Sequence, residues 1–280
     1  IALKVGRFES GQKAAASHTG ALAASDIAFD AAFEKAGILR AECAEQMFDW
    51  ARALEVYPMP WWSSSERSSR AYRDHSTSSK HGIAILTNAG GPGVIAADAL
   101  EHHGLTLAQL HEPTLKALLA TLPSAASVFN PVDMLASASP EQYALCLKLL
   151  LEDDNVDGAL VILPPPPMFK AEDVAEKIVQ TLESDSLLSV CGKPLDSRIR
   201  KPVVIALMGS TLVEEARSAF ERANVPTYPF PERAASALSA LFKRAEFISQ
   251  EEEQEKTSRS PRLRGSNLED LLSAYQIPTA

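Results

Sequence analysis

Residues 83–103 read IAILTNAGGPGVIAADALEHH, and this stretch decides the fold. Ile83–Thr87 is a short, continuous apolar run with β-branched members, the pattern of a parallel strand buried on both faces. Asn88-Ala89-Gly90-Gly91-Pro92-Gly93 follows as a turn, and a helical pattern runs over 92–103. Glycines at a strand-to-helix turn let the backbone come close to a ligand. The helix that follows presents unpaired N–H groups carrying roughly half a positive charge. Pro92 fits a first turn, where its missing N–H has no acceptor to lose. A tight turn with no ligand satisfies the same residues.

Working outward, the strand-helix alternation repeats. Leu105–Leu110, Ala159–Leu163 and Val203–Leu207 read as further buried strands, with helices expected at 112–121, 140–152, 171–183, 211–223 and 231–247. Pro140 and Pro231 stand at first-turn positions. This order predicts a doubly wound α/β domain with a parallel sheet.

The block before it is shorter. IALKV opens as a strand, and GRFESGQKAAASHTG reads as a loop. A helix is expected next, with Ser25 as N-cap, Phe29 and Phe33 one turn apart, and Gly37 at its stop. Ile38–Arg40 is a brief strand, and Cys43, Met47, Trp50 and Leu54 recur at helical spacing. One clear strand, one short strand and two helices make an incomplete parallel-sheet domain. A chain opening inside a strand, without Met, reads as part of something longer. The serine-rich residues 61–80 and the insertion at 183–200 read as linker or loop, and the charged residues 250–265 as a solvated linker. An amphipathic pattern starts in 266–280. There is no internal repeat.

Composition narrows the function. With 27 Lys plus Arg against 36 Asp plus Glu, the net charge of −9 argues against a broad nucleic-acid surface, though not against a small anion site built from N–H groups. The three cysteines, Cys43, Cys146 and Cys191, are scattered, so neither a disulfide framework nor a zinc site is expected, and a reducing, cytoplasmic setting is the default. No apolar run approaches the roughly 18 residues of a membrane span.

Besides the glycine turn, two segments carry candidate chemistry. Ser17-His18-Thr19-Gly20 sets an imidazole among hydroxyls, a glycine and the cations Arg7 and Lys13, groups that together suit a phosphate. Imidazole is a competent nucleophile near neutral pH; a surface histidine without a role is the plainer reading. Asn130-Pro131-Val132-Asp133 falls near the sheet edge where ligands sit, although a structural turn explains it equally. Gly91-Pro92-Gly93-Val94-Ile95-Ala96 also satisfies G-x-G-x-x-A with Glu112 downstream, a weak dinucleotide signal, and there is no P-loop. The remaining histidines have no metal-ligand spacing, and no metal site is expected.

Taken in order, KVGRFESGQKAAASHTGALAASD, AAFEKAGILR, TNAGGPGVIAADALE, ASVFNPVD and PTYPFPERAASAL resemble the ADP-forming acyl-CoA synthetases of the succinyl-CoA ligase superfamily. The resemblance implies flavodoxin-like succinyl-CoA ligase domains. Residues 1–60 would be the tail of the histidine-bearing domain, 61–80 a linker, 81–249 a ligase-CoA domain, 250–265 a second linker and 266–280 the start of an ATP-grasp domain. It implies that acyl-CoA, ADP and phosphate give acid, ATP and CoA, with acetate the expected acid. His18 would be transiently phosphorylated, with Ser17, Thr19 and Gly20 lining its loop. Asn88, Gly90, Gly91 and Gly93 would hold the phosphate, with Asn130 and Asp133 as further candidates. CoA, ATP or ADP, phosphate and Mg2+ would serve the full-length enzyme, none of them held fully by this chain. CoA-binding and ATP-grasp domains are expected in the same protein or a partner subunit, and the isolated stretch is expected to be inactive. The alternative implied by the same resemblance is an effector-binding region of a protein lysine acetyltransferase. A flavodoxin-like binding module without catalysis is the third reading.

Overall fold

A computed structural model describes residues 1–19, 26–57, 81–184 and 201–258. Gly20, the expected cap Ser25, the serine-rich stretch 61–80, residues 185–200 of the second insertion and the tail from 259 lie outside the described residues.

The apolar runs become the strands of one parallel sheet. In chain order these are β3 (Gly82–Thr87), β4 (Thr106–Leu107), β5 (Val132–Asp133), β6 (Gly158–Leu163), β7 (Val203–Leu207) and β8 (Thr227–Tyr228). They are arranged β4-β3-β6-β7-β8, with β5 also on β3. Setting β5 aside, this is the 2-1-3-4-5 order of a flavodoxin-like sheet. The continuous hydrophobicity of the strands follows from burial on both faces. Ile83, Ile85, Leu160 and Ile162 enter one apolar cluster, while Ala84, Leu86, Val161 and Leu163 enter the other. Each of the Ile, Leu and Val side chains, fully buried, contributes about 1.5–3 kcal/mol.

Helices α4 (Gly90–His102) and α9 (Pro231–Ser258) cover the first face; α5 (Glu112–Thr121), α6 (Pro140–Glu152), α7 (Ala171–Glu183) and α8 (Glu214–Arg222) cover the second. Ser139 caps α6 in a reciprocal box with Gln142, ahead of Pro140 at its first position. The expected helix at 211–223 opens as a 3-10 turn, Thr211–Val213, before α8. The linker expected from residue 250 instead begins as a continuation of α9 to Ser258, because its Gln, Glu and Lys residues are good helix formers.

The expected strand Leu105–Leu110 is shorter than its pattern. β4 pairs only with Gly82 and Ile83, and β5 pairs with Leu86 and Thr87. Between them the Asn130 side chain acts as the neighbour. Its Nδ2 donates to Ile83 O (2.7 Å) and Ala108 O (3.1 Å), and its Oδ1 accepts from Ile85 N–H (2.9 Å).

The first block pairs β1 (Ala2–Leu3) with β2 (Arg40–Ala41) in parallel, beside α1 (Glu9–Thr19), α2 (Asp26–Lys35) and α3 (Ala44–Val56). The loop reading of residues 6–20 is corrected here, since Ser17-His18-Thr19 forms the last turn of α1. Gln12, Lys13 and three alanines favour helix, and Lys13 pairs with Glu9 at 2.7 Å one turn back. α3 packs on α9. Trp50 is buried and donates its Nε1–H to Ser236 Oγ at 3.0 Å, while Arg233 grips the Asp49 carboxylate at 2.6 and 2.7 Å. Gly37 ends α2 with φ +62°, and a Cβ there would lie 2.3 Å from the Phe247 ring of α9.

Candidate functional site

β3 delivers Thr87 and Asn88 to the carboxyl edge of the sheet. There α4 leaves toward one face and α7 toward the other, and such a divergence opens the crevice in which doubly wound sheets take ligands. The turn is set by Thr87, whose buried hydroxyl accepts from Ala89 N–H (3.1 Å) and donates to Ala89 O (3.0 Å). Ala89 is held extended as the N-cap, and α4 begins at Gly90. The N–H groups of Gly90 and Gly91 find no partner among the described residues, as expected of a first turn.

The three glycines serve different ends. A Cβ on Gly90 would stand 3.1 Å from Asp133 Oδ2, and one on Gly93 would stand 3.3 Å from Thr87 Cγ2, where helix and strand touch. A Cβ on Gly91 would meet nothing within 4 Å, so the first turn is open at that point. Asp133 is fixed by Leu135 N–H, which donates to its Oδ1 at 3.0 Å. That leaves Oδ2 beside Gly90. Burial, and then the Asp133 charge, push the Tyr143 hydroxyl well above its ordinary range, so it stays protonated and donates to Ile162 O at 3.4 Å.

Asn88 is the anomaly. It is 4% exposed, and its Oδ1 is the one buried side-chain polar atom without a hydrogen-bond partner among the described residues. An unmade hydrogen bond of this kind costs about 1–3 kcal/mol. Such an atom in a native fold asks for an explanation, and at a switch point a ligand is the first to test.

The structure therefore gathers Asn88, Gly90, Gly91, Gly93 and Asp133 at one strand edge. Asn130 lies close by in the same loop system, but its amide is wholly engaged by backbone groups. Ser17 and His18 are on a separate element. The Ser17 hydroxyl donates to Ala14 O at 2.7 Å, and the side chains of His18 and Thr19 lie outside the described residues. Arg7, expected near a phosphate, instead contacts Asp26 and Glu42. Asp26 is drawn down to about 2 by hydrogen bonds from Arg40 and Lys4, so this cluster ties β1, β2 and α2 together. Sequence reasoning missed Thr87 as the residue that fixes the turn. The threonine one position before Asn-Ala-Gly-Gly was its only local signal. Among the described residues no group of three His, Cys, Asp or Glu side chains is placed to hold a metal ion. No described helix is long and apolar enough to cross a membrane.

With this geometry in place, comparison with known proteins decides the family. The model of the Ligase-CoA domain matches residues 83–250, and that of the succinyl-CoA ligase like flavodoxin domain matches residues 1–54. The chain belongs to the Ligase-CoA domain family. Its relatives there include the alpha subunit of the ADP-forming acetate–CoA ligase II of Pyrococcus furiosus, 38% identical over 89% of this chain and 48% of that one. The ADP-forming acetate–CoA ligase I of Archaeoglobus fulgidus is 34% identical over 90% of this chain and 31% of its own length. A solved acetyl-coenzyme A synthetase 1 of Ca. Korarchaeum cryptofilum, in complex with phosphate and ADP, superposes with a TM-score of 0.72 at 30% identity. That match covers 90% of this chain and 48% of the other. The chain thus spans about half, or less, of the length of these relatives. The resemblance to ADP-forming acyl-CoA synthetases and the flavodoxin-like fold are both borne out.

Proposed function

We propose that this chain supplies the phosphohistidine and one phosphate-holding helix end of an ADP-forming acyl-CoA synthetase, with acetyl-CoA the expected substrate. A phosphate oxygen attacks the thioester carbonyl and expels CoA as its thiolate, leaving an acyl phosphate. A ring nitrogen of His18 then attacks phosphorus and releases the carboxylate. The β-phosphate of ADP takes the phosphoryl group from the histidine, giving ATP and restoring neutral imidazole. In this reading Ser17, Thr19 and Gly20 shape the surroundings of His18. The unpaired N–H groups of Gly90 and Gly91, with the α4 dipole behind them, hold the phosphoryl oxygens, and Asn88 and Gly93 complete the turn. Oriented N–H groups suit phosphoryl transfer, which needs positioning and charge stabilisation more than covalent help. They do so in an acidic chain without any added cation.

The observation that carries this reading is the first turn of α4: two free N–H donors open to solvent at Gly91, beside a buried acceptor with nothing to accept. CoA, nucleotide and Mg2+ are assigned to CoA-binding and ATP-grasp domains in the same protein or a partner subunit. The segmentation into a histidine-domain tail (1–60), a ligase-CoA domain (81–249) and an ATP-grasp opening (266–280) belongs to the same proposal, as does a cytoplasmic setting. The test is to incubate the full-length protein with radiolabelled ATP and Mg2+. An acid-labile label that disappears in His18→Ala is expected. A label that survives His18→Ala, or no acid-labile label at all, overturns the reading.

A further inference from the structure

The first turn of α4 offers acceptors as well as donors, and the acceptors restrict which anion it can take. Gly90 and Gly91 present N–H groups to oxygens that carry lone pairs. Asn88 Oδ1, in contrast, is buried and unpartnered, and it can be satisfied only by a group that donates. Asp133 Oδ2 adds negative charge at the same turn, 3.1 Å from the position of a Cβ on Gly90. An anion with no proton would satisfy the N–H groups, leave Asn88 Oδ1 unpaired and bring its charge against the Asp133 carboxylate.

We infer that this site selects dihydrogen phosphate over fully ionised tetrahedral anions, with Asn88 Oδ1 accepting one phosphate O–H and the Asp133 carboxylate accepting the other while it repels dianions that have no proton to give. The inference rests on the phosphate reading above and adds a specificity to it. Near neutrality orthophosphate supplies a dihydrogen form with two protons and one negative charge, whereas sulfate and fluorophosphate, of similar size, have no proton there and carry two charges. Selection of this kind combines an attractive contact for the right ligand with a repulsive one for the wrong ligand. A site built to receive a ligand O–H discriminates strongly against analogues that lack it, because its own buried group is then left unpaired. Asp133 is suited to the repulsive part because Leu135 N–H occupies Oδ1 and holds the carboxylate in place.

Isothermal titration of the full-length protein with inorganic phosphate, sulfate and fluorophosphate at neutral pH tests this. Gly91→Asp places an anion on the open side of the turn, where a Cβ meets nothing within 4 Å, and binding that it abolishes is assigned to this site. Within that fraction, phosphate is expected to exceed sulfate and fluorophosphate by about tenfold or more. Asp133→Asn, which keeps the acceptor for Leu135 N–H, is expected to raise sulfate affinity and shrink the preference. Asn88→Leu is expected to weaken phosphate without weakening sulfate. Equal binding of the three anions by the unaltered protein overturns the inference, and so does sulfate affinity unchanged in Asp133→Asn. Phosphate binding that survives Gly91→Asp, or no binding of any of the three anions, removes the phosphate site itself.

Discussion

At the amino edge of the parallel sheet, Asp153 is fully buried and accepts from His111 N–H, His111 Nδ1 and Asn155 N–H at 2.8–2.9 Å. Lys201 Nζ donates to Leu151 O and Asp153 O, each at 2.7 Å, and Asp157 accepts from Gly82 N–H at 2.9 Å. At the carboxyl edge of the same sheet, Asn88 Oδ1 is just as deeply placed and has no partner, and two glycine N–H groups stand open beside it. The amino edge has its polar groups matched within the protein, as structural groups should be. The carboxyl edge leaves a buried acceptor and two N–H groups unmatched among the described residues, and the proposed phosphate site rests on that difference. Asn88, just after β3, and Asn130, just before β5, show the contrast in one residue type. Asn130 makes three hydrogen bonds to backbone, while Asn88 Oδ1 makes none.

The amino edge breaks hardest. Asp153→Ala strands His111 N–H and Asn155 N–H and removes the charge facing the His111 ring, and should cost about 3 kcal/mol in urea unfolding. Burial favours the neutral acid, but hydrogen bonds from Thr114, Asn155 and His111 outweigh it and hold the carboxyl below its usual range. Its contribution is therefore complete above the unfolded carboxyl value and is lost as pH falls through the folded one. Asp153→Ala should flatten that acid limb; an unchanged limb would place the acid sensitivity elsewhere.

Next come the asparagines. Asn130→Leu uncovers the Ile83 and Ile85 backbone groups at the gap between β4 and β5 and is expected to cost about 2 kcal/mol. Asn88→Leu should go the other way, raising stability by about 1 kcal/mol, because it removes a buried polar atom whose hydrogen bond is unmade. Equal losses from the two substitutions would erase the distinction drawn between the edges. Denaturant midpoints at constant m-value are the measurement.

Much of the sheet could be read from the sequence because strands buried on both faces announce themselves as unbroken apolar runs, as 159–163 and 203–207 do. Leu105–Leu110 misled for the same reason. Leu105 and Ala108 are buried and Leu107 and Leu110 partly so, but beyond Leu107 the β3 edge is filled by an asparagine side chain, a tertiary substitution that periodicity cannot show. The SHTG segment misled because a glycine and hydroxyls resemble a loop, while the alanine run before them extends α1 through Thr19. At the site, the glycine turn was visible in the sequence. The approach of Asp133 to Gly90 was not, because it joins residues 43 positions apart through the β3–β5 pairing.

The smallest expected effect separates the edges by pH. His81 opens the amino edge, with Nε2 2.9 Å from Glu246 of α9, Nδ1 3.8 Å from Asp157, and its ring stacked on Phe242 at 4.3 Å. Burial disfavours the imidazolium, yet Asp157 and Glu246 together prevail and hold its pKa above the ordinary value. A raised histidine contributes fully below its unfolded value of about 6.5 and loses that contribution as pH climbs through the folded value. The stability difference between the unaltered chain and His81→Gln should therefore be largest in mild acid and shrink above neutrality. The pH profile of phosphate binding at the opposite edge should be the same in the unaltered chain and in His81→Gln, since His81 lies at the far end of β3 from Asn88. A phosphate-binding pH profile altered by His81→Gln would show the two edges to be coupled.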